Sequence, residues 1–267
     1  MAIAKKQLFL NYKGGTGKTS ISNAYGYYLA KTGKRVLMVD LDAQAHLTTC
    51  LDQEQVHHDK SLYSVLVNNE PLKSVITDTS LPSLKLVPSS ISLSTLELPL
   101  FGMHLREYKL RQALKEVERE FDYIIIDSAP SIGLLSLNAI IASDEVLIPL
   151  LADFLSFHGL KLLLETLSSI ERDFNFYLNK IHIFLNRFNA GYPICEECRE
   201  AVNKFYPEYS LKAAINESQE IIDASSMGKS IFELYPDSKV ADDIKKLVDE
   251  VNNPAGKELI NEEKIRV

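Results

Sequence analysis

The sequence has 267 residues, of which 46% are hydrophobic and 24% are charged, and its formal net charge is −7. This composition can bury one large core and excludes an intrinsically disordered chain, and the negative charge excludes a protein whose whole surface attracts nucleic acid. No stretch approaches the roughly 18 consecutive apolar residues that cross a bilayer. We therefore expect one cytoplasmic domain over residues 1–253, followed by a loosely ordered tail at residues 254–267.

Short apolar runs alternate with longer helix-like segments along the chain, which is typical of an α/β protein with a parallel sheet. The predicted strands are residues 7–11, 35–41, 84–88, 122–127, 145–150 and 180–186, with a further candidate at 211–215. The predicted helices are residues 18–31, 105–120, 160–172, 196–205 and 240–251, and Gly33 lies where the first helix would end. Runs such as VLMVDL and YIIID are apolar at consecutive positions, as expected of strands covered on both faces. We therefore predict a three-layer α/β fold in which helices cover both faces of a mostly parallel, twisted sheet.

A glycine-rich turn at residues 14–17 follows the first predicted strand and precedes the first predicted helix. Glycines allow backbone N–H groups to converge on phosphate oxygens, and a helix N-terminus adds positive potential. Lys18 would then neutralise the β- and γ-phosphates of a nucleotide, and the Thr19 hydroxyl would ligate Mg²⁺. The predicted nucleotide contacts are Gly14, Gly15, Thr16, Gly17, Lys18, Thr19 and Ser20.

Three aspartates lie at the ends of two predicted strands. Asp40 and Asp42 close the strand at 35–41, and Asp127 closes the strand at 122–127. Because open α/β sheets bind ligands at the carboxyl ends of their strands, we expect these carboxylates to face the glycine turn. Asp127 would hold Mg²⁺ through water, as the acid of a Walker B strand does. Two aspartates after a strand are also an ordinary turn signal, so their functional interpretation depends on the glycine turn.

Cys195 and Cys198 have the CxxC spacing of a zinc or redox pair. The sequence has no second pair and no suitably spaced histidine to complete a zinc site. The total of three cysteines fits a reduced compartment better than a disulfide framework. The sequence therefore favours two thiols of a helix or loop over a metal site.

The spelling KGGTGKTS, in which Lys13 precedes the glycines, resembles the deviant Walker A loop of the ParA/MinD family of ATPases. Within that family, the chain is most similar to the small, Soj-like partition ATPases. The resemblance implies a P-loop NTPase fold and a homodimer that sandwiches ATP and Mg²⁺ between its subunits. It also implies that Lys13 contacts the nucleotide phosphates of the partner subunit. One departure from the ordinary P-loop pattern is Tyr12, which stands where glycine is usual.

The resemblance further assigns roles to two carboxylates and one amide. It implies that Asp42 positions the attacking water and that Asp40 supports the Mg²⁺ shell. Lys13 and Lys18 complete the implied catalytic set. Asn186, near the end of a predicted strand, corresponds to an asparagine that reads the edge of the adenine base. Each switch segment lacks one proline of the family pattern, but all three aspartates are in place.

By this resemblance, the protein is an ATPase that dimerises on Mg·ATP and segregates or positions DNA or another large cargo. Its hydrolysis is expected to be slow and stimulated by a ParB-like partner. A second hypothesis is an ATP-gated dimerisation switch that regulates a protein partner without DNA. A third is a metabolic P-loop enzyme, either a ligase, for which the sequence reveals no substrate pocket, or a reductase. The reductase would need cluster cysteines near the switches, and none lies beside Asp127.

Three acidic residues argue against non-specific DNA binding by this chain, which is the property of ParA proteins that associate with the nucleoid. This chain has Glu217, Glu220 and Asp237 where those relatives are basic. On a surface that faces phosphates, each reversal removes a counterion-release contribution and adds repulsion. Arg187 and several scattered lysines are candidates to compensate, so the sequence leaves DNA binding and nucleoid association open.

The stretch from residue 257 to residue 267 corresponds to the basic amphipathic helix with which MinD relatives bind membranes. Here it mixes three acidic residues with three basic ones. An anionic bilayer would not favour that mixture, so we expect no membrane binding.

Overall fold

One eight-stranded sheet forms the centre of the structure, a computed structural model that describes residues 2–51 and 60–253. The strands are β1 (Lys5–Phe9), β2 (Val36–Leu41), β3 (Thr77–Asp78), β4 (Leu84–Val87), β5 (Tyr123–Ser128), β6 (Glu145–Leu151), β7 (Lys180–Phe188) and β8 (Ser210–Asn216). Their order across the sheet is β3-β4-β2-β5-β1-β6-β7-β8. Every neighbouring pair is parallel except β3 with β4. The predicted tail at 254–267 lies outside the described residues.

Parallel pairing brings the carboxyl ends of the strands to one edge of the sheet. β1 lies between β5 and β6 and pairs with both of them. β2 pairs with β5, and this register places Asp40 opposite Asp127. The glycine turn after β1 and the acids at the ends of β2 and β5 therefore meet at this edge, as the topology of open α/β sheets requires.

Helices cover both faces of the sheet. They are α1 (Lys18–Lys31), α2 (His46–Leu51), α3 (Leu62–Asn68), α4 (Lys109–Leu114), α5 (Leu134–Ala142), α6 (Phe154–Phe174), α7 (Pro193–Phe205), α8 (Gln219–Ser226), α9 (Ile231–Leu234) and α10 (Lys239–Asn252). Apolar residues of α1, α2 and α8 to α10 pack on one face, and those of α3 to α7 pack on the other. The predicted three-layer fold is confirmed. Over the described ranges, no helix is both long and apolar enough to cross a membrane.

The predicted elements are present except for the helix between β4 and β5, whereas α2, α3, α5, α8 and α9 were not predicted from the sequence. The seven predicted strands are present with small shifts at their ends, whereas the two-residue β3 is too short to give a sequence pattern. Gly33 follows α1 with a φ of 89°, the left-handed conformation expected at a helix end. The predicted helix at 105–120 is wrong over most of its length. Leu105 is left-handed, a 3-10 turn follows at Arg106–Tyr108, and only α4 is α-helical.

A buried carboxylate, Glu145, joins the amino ends of the central strands. It accepts a hydrogen bond from Gln7 Nε2 at 2.9 Å and pairs with Lys5 Nζ at 2.9 Å, and His182 Nε2 lies 3.5 Å away. Burial acts to raise the pKa of Glu145, but the neighbouring side chains of His182, Gln7 and Lys5 outweigh it and lower the pKa to about 2. The ionised carboxylate therefore stabilises the contact between β1, β6 and β7.

We predict that Glu145→Gln destabilises the folded protein by about 1–3 kcal/mol at neutral pH, because buried donors lose their charged acceptor. The folded pKa lies below the ordinary value of 4.5. The contribution of the carboxylate is therefore complete above about pH 4.5 and declines as the pH falls toward 2. Urea unfolding measured from pH 7 to pH 3 should show the variant approach wild type in acid.

The control for this measurement is Glu165→Gln, which removes an exposed carboxylate paired with Lys161 on α6. Exposed pairs contribute little, so this variant should match wild type at every pH. A Glu145→Gln deficit that stays constant from pH 7 to pH 3 would contradict the assignment.

Candidate functional site

The glycine turn connects the carboxyl end of β1 to the first residue of α1. Gly15 and Gly17 have φ values of 73° and 87°, in the left-handed region that favours glycine. A Cβ atom at Gly17 would also lie 2.2 Å from Nδ2 of Asn186. The turn leads directly into α1, whose first N–H groups have no intrahelical acceptors and can bind an anion.

Two residues of the first turn of α1 face the end of β5. Lys18 is buried, and this burial lowers the pKa of its amine, while the charges of Asp127 and Asp42 act in the opposite direction. Thr19 Oγ1 donates a hydrogen bond of 2.6 Å to Oδ2 of Asp127. The predicted phosphate-binding lysine, metal-binding hydroxyl and Walker B acid therefore lie together.

Asp127 and Thr19 fit a Mg²⁺ ion by their chemistry. Burial and the charge of Asp40 raise the pKa of Asp127 to about 7. Its Oδ1 atom is buried and has no hydrogen-bond partner among the described residues. Hard divalent cations prefer such oxygen ligands, and a nearby cation keeps a buried carboxylate ionised.

Both carboxylate oxygens of Asp40 accept hydrogen bonds from groups of the protein. Oδ2 accepts hydrogen bonds from the amide and hydroxyl of Thr48 at 2.8 and 2.7 Å, and Oδ1 accepts from the amide of Asp42 at 3.1 Å. Burial raises the pKa of Asp40 to about 6. Asp40 thus ties the loop after β2 to α2. Its role in the Mg²⁺ shell stays a prediction.

Asp42 lies half-buried in the same loop, with one carboxylate oxygen engaged. Its Oδ1 accepts from the amide of Gln44 at 2.9 Å, and its carbonyl accepts from the Ser89 hydroxyl at 2.5 Å. Oδ2 forms no hydrogen bond within residues 2–51 and 60–253. The charge of Asp42 acts to raise the pKa of Lys18. The role of Asp42 in positioning an attacking water stays a prediction.

Lys13 is held by its own subunit. Its Nζ atom lies 2.8 and 3.1 Å from the two oxygens of Asp153 and 2.9 Å from the hydroxyl of Ser156. Asp153 is the N-cap of α6, where it accepts from the Ser156 amide at 2.7 Å. The amide of Lys13 donates to Oδ1 of Asn11 at 2.9 Å. Lys13 must leave Asp153 before it can reach a phosphate in another subunit.

Asn186 supports the glycine turn. The side chain is buried, and Nδ2 donates a 2.8 Å hydrogen bond to the carbonyl of Thr16. The adenine contact implied for Asn186 stays a prediction. Ser20 lies against α8, where its hydroxyl accepts a hydrogen bond of 3.0 Å from Ser225.

Several partners of the site were missed by the sequence analysis. Asp153 lies 140 positions from Lys13 along the chain, and no local pattern joins them. Thr48 lies eight residues after Asp40, and no sequence pattern predicts its two hydrogen bonds to that carboxylate. Ser225 likewise reaches Ser20 only through the tertiary fold.

Cys195 and Cys198 lie buried on α7 as free thiols. Burial raises the pKa of Cys198 to about 11. A thiol with a raised pKa is a poor nucleophile. Both cysteines pack within the hydrophobic core as small apolar side chains.

The chain is similar to several known proteins over most of its length. Residues 4–180 match the protein family described as an AAA domain. The cell division protein PomZ of Myxococcus xanthus is 47% identical over 92% of this chain and 77% of PomZ. The sporulation initiation inhibitor protein Soj of Bacillus subtilis is 35% identical over 87% of this chain and 92% of Soj. The structure of apo McdA from Cyanothece has a TM-score of 0.84 at 25% identity, with 92% of this chain and 98% of McdA covered.

We predict that Gly17→Ala weakens ATP binding by more than about tenfold. The left-handed backbone costs a residue with a Cβ atom roughly 1–2 kcal/mol, and the new methyl group displaces Asn186 from the turn. Calorimetric ATP titration and thermal unfolding measure the two effects.

Gly14→Ala is the matched control for stability, because a Cβ atom there meets nothing within 4 Å. Its unfolding temperature should stay near that of wild type, and that of Gly17→Ala should fall. Equal unfolding temperatures for the two variants would show that Asn186 does not constrain the turn.

Proposed function

Because the chain belongs to the ParA/MinD family of P-loop ATPases, we propose that its two subunits sandwich ATP and Mg²⁺ and that the dimer positions DNA or another large cargo. The observation that carries this proposal is the placement of Lys13. A second lysine precedes the glycine turn, and it is anchored to Asp153 at the rim of the site. Similarity to a cell division protein and to a Soj protein supports cargo positioning as the output.

The residues of one subunit have separate tasks in this proposal. The glycine turn and Lys18 hold the β- and γ-phosphates, and Thr19 with Asp127 holds Mg²⁺. Mg²⁺, when bound, neutralises charge that develops between the phosphates. Asp42 orients the attacking water through its unengaged Oδ2 atom. Asp40 acts indirectly, because its bonds to Thr48 fix the loop that carries Asp42.

Lys13 provides the switch between monomer and dimer. In the monomer it pairs with Asp153, and in the dimer it reaches the phosphates bound by the partner subunit. A partly exposed ion pair contributes only about 0.2–1 kcal/mol, so contacts with a bound triphosphate can replace it. Loss of the γ-phosphate on hydrolysis removes those contacts and returns Lys13 to Asp153.

The placement of Asp42 supports slow hydrolysis that a ParB-like partner stimulates. One oxygen of its carboxylate is bonded to the Gln44 amide, and its carbonyl is bonded to Ser89. These bonds hold the loop in one conformation before any partner binds. A partner that shifts the loop would bring Asp42 into line with the attacking water and raise the hydrolysis rate.

A second candidate function is an ATP-gated dimer that regulates a protein partner without DNA. The acidic residues that replace basic ones in relatives favour it. Glu217 and Asp237 are exposed, and Glu220 lies in the first turn of α8. The exposed carboxylates of Glu217 and Asp237 present negative charge to the solvent, which repels nucleic acid phosphates.

We predict that Lys13→Ala binds ATP with near wild-type affinity and fails to dimerise, whereas Lys18→Ala loses ATP binding. Lys18 serves its own site, and Lys13 serves that of the partner. A fluorescent ATP analogue measures binding, and light scattering after size exclusion measures dimerisation with ATP and with ADP.

Lys161→Ala, which alters an exposed lysine on α6, is the control and should dimerise as wild type does. The proposal fails if Lys13→Ala dimerises normally or if wild type forms no dimer with ATP.

We predict that wild type shifts DNA weakly at low salt and that the triple variant Glu217→Arg, Glu220→Lys, Asp237→Arg shifts it strongly in the presence of ATP. Each reversal replaces repulsion by a phosphate contact, so the salt dependence of binding should steepen by about one unit per new contact. Electrophoretic shift assays over a salt series test this. Strong DNA binding by the wild-type protein would rule out the second candidate function, a dimerisation switch that acts without DNA.

A further inference from the structure

Arg187 is held in a backbone conformation that arginine rarely adopts. It lies next to the last residue of β7, and its φ is 52°, in the left-handed region. This region is costly for any residue with a Cβ atom, and such residues concentrate at sites where the strain has a use. The left-handed backbone therefore calls for a functional explanation.

A β-bulge produces this conformation. Asn186 pairs with Ile215, and Phe188 pairs with Asn216, so Arg187 has no counterpart in β8. A bulge changes the direction of a side chain and is common beside active sites. This one lies at the carboxyl edge of the sheet, beside the glycine turn.

The two neighbours of Arg187 are fixed. Asn186 is buried and bonded to the carbonyl of Thr16. Phe188 is buried, its carbonyl accepts from the Glu217 amide at 3.0 Å, and Arg199 lies 3.8 Å over its ring. Arg187 alone is exposed. In the described parts of the chain, its guanidinium takes part in no ion pair or hydrogen bond.

We propose that Arg187 contacts the adenine base of bound ATP. This inference rests on the proposed function, since it takes ATP as the ligand. Asn186 lies against Gly17 of the glycine turn. The next residue, Arg187, therefore borders the side of the turn to which the nucleoside of a bound ATP would extend. The planar guanidinium of arginine stacks on aromatic faces. The Nδ2 group of Asn186 is engaged by the glycine turn. The exposed guanidinium of Arg187 is therefore available to contact the base.

The same side chain is less suited to a DNA phosphate. The amide of Glu217 donates to the carbonyl of Phe188 in the same bulge, so an exposed acid follows this edge of the sheet. A single arginine next to an acid gives little net attraction for a polyanion. A neutral aromatic base is not repelled by that charge, so the surroundings favour the nucleotide.

The test is Arg187→Gly, which removes the side chain and suits the left-handed backbone. Leu105→Gly is the matched control, because Leu105 is also left-handed, with a φ of 57°, in the loop before α4. Both variants should unfold at or above the wild-type temperature. ATP affinity should fall about 3- to 30-fold in Arg187→Gly, and it should not change in Leu105→Gly. Competition by inorganic tripolyphosphate, which has no base, should be equal in all three proteins.

Three results would overturn the inference. Wild-type ATP affinity in Arg187→Gly would remove Arg187 from the nucleotide site, and the proposed function would stand because wild type still binds ATP. An equal loss of tripolyphosphate binding would assign the contact to the phosphates. Unchanged ATP affinity with reduced DNA shift at low salt would assign Arg187 to nucleic acid.

Discussion

The hydrogen bond between Thr19 and Asp127 joins the glycine turn to the centre of the sheet, and the geometry of the site depends on it. The bond is 2.6 Å long and involves a carboxylate that is almost completely buried. It fixes the first turn of α1 over the end of β5, and this position carries Lys18 to the same edge. The opposite side of the turn is fixed by Asn186, which bonds to Thr16. The glycine turn is therefore held from two strands, β5 and β7, which lie on opposite sides of β1.

Two buried carboxylates lie side by side at this edge, and their proximity has a cost. Asp40 and Asp127 occupy paired positions of β2 and β5. Burial raises the pKa of both carboxylates. A neighbouring charge raises each pKa further, because Asp42 acts on Asp40 and Asp40 acts on Asp127. Carboxylates whose pKa is raised on folding destabilise the folded state at neutral pH. Asp40 offsets this cost through three hydrogen bonds, whereas Asp127 keeps one buried oxygen for a cation. Asp40 therefore shapes a loop, and the oxygen of Asp127 that has no hydrogen-bond partner among the described residues is the one that the proposed Mg²⁺ site would use.

The sequence predicted the parts of the site that are local and missed those that depend on tertiary contact. The glycine turn, Lys18, Thr19 and Asp127 follow from strand, turn and helix signals within short windows, and the parallel topology brings them together. The cis contact between Lys13 and Asp153 has no local signal, because it joins the end of β1 to the start of α6. The segment before β5 was misread as one long helix because its apolar spacing continues through 105–120. The left-handed conformation of Leu105 and the 3-10 turn after it cannot be predicted from the spacing of apolar residues.

The nucleotide site and the surface that differs from DNA-binding relatives are mechanically connected. Ser225 of α8 bonds to Ser20 of α1, and a Cβ atom at Gly228 would lie 3.3 Å from the carbonyl of Thr49 in α2. α2 therefore contacts the turn that follows α8. Asp40 ties this same helix to the loop after β2. Under the proposed function, a movement of α2 on binding or loss of the γ-phosphate would be transmitted to α8, which carries Glu220. A partner that contacts Glu217 and Glu220 would therefore have a route to the loop that carries Asp42.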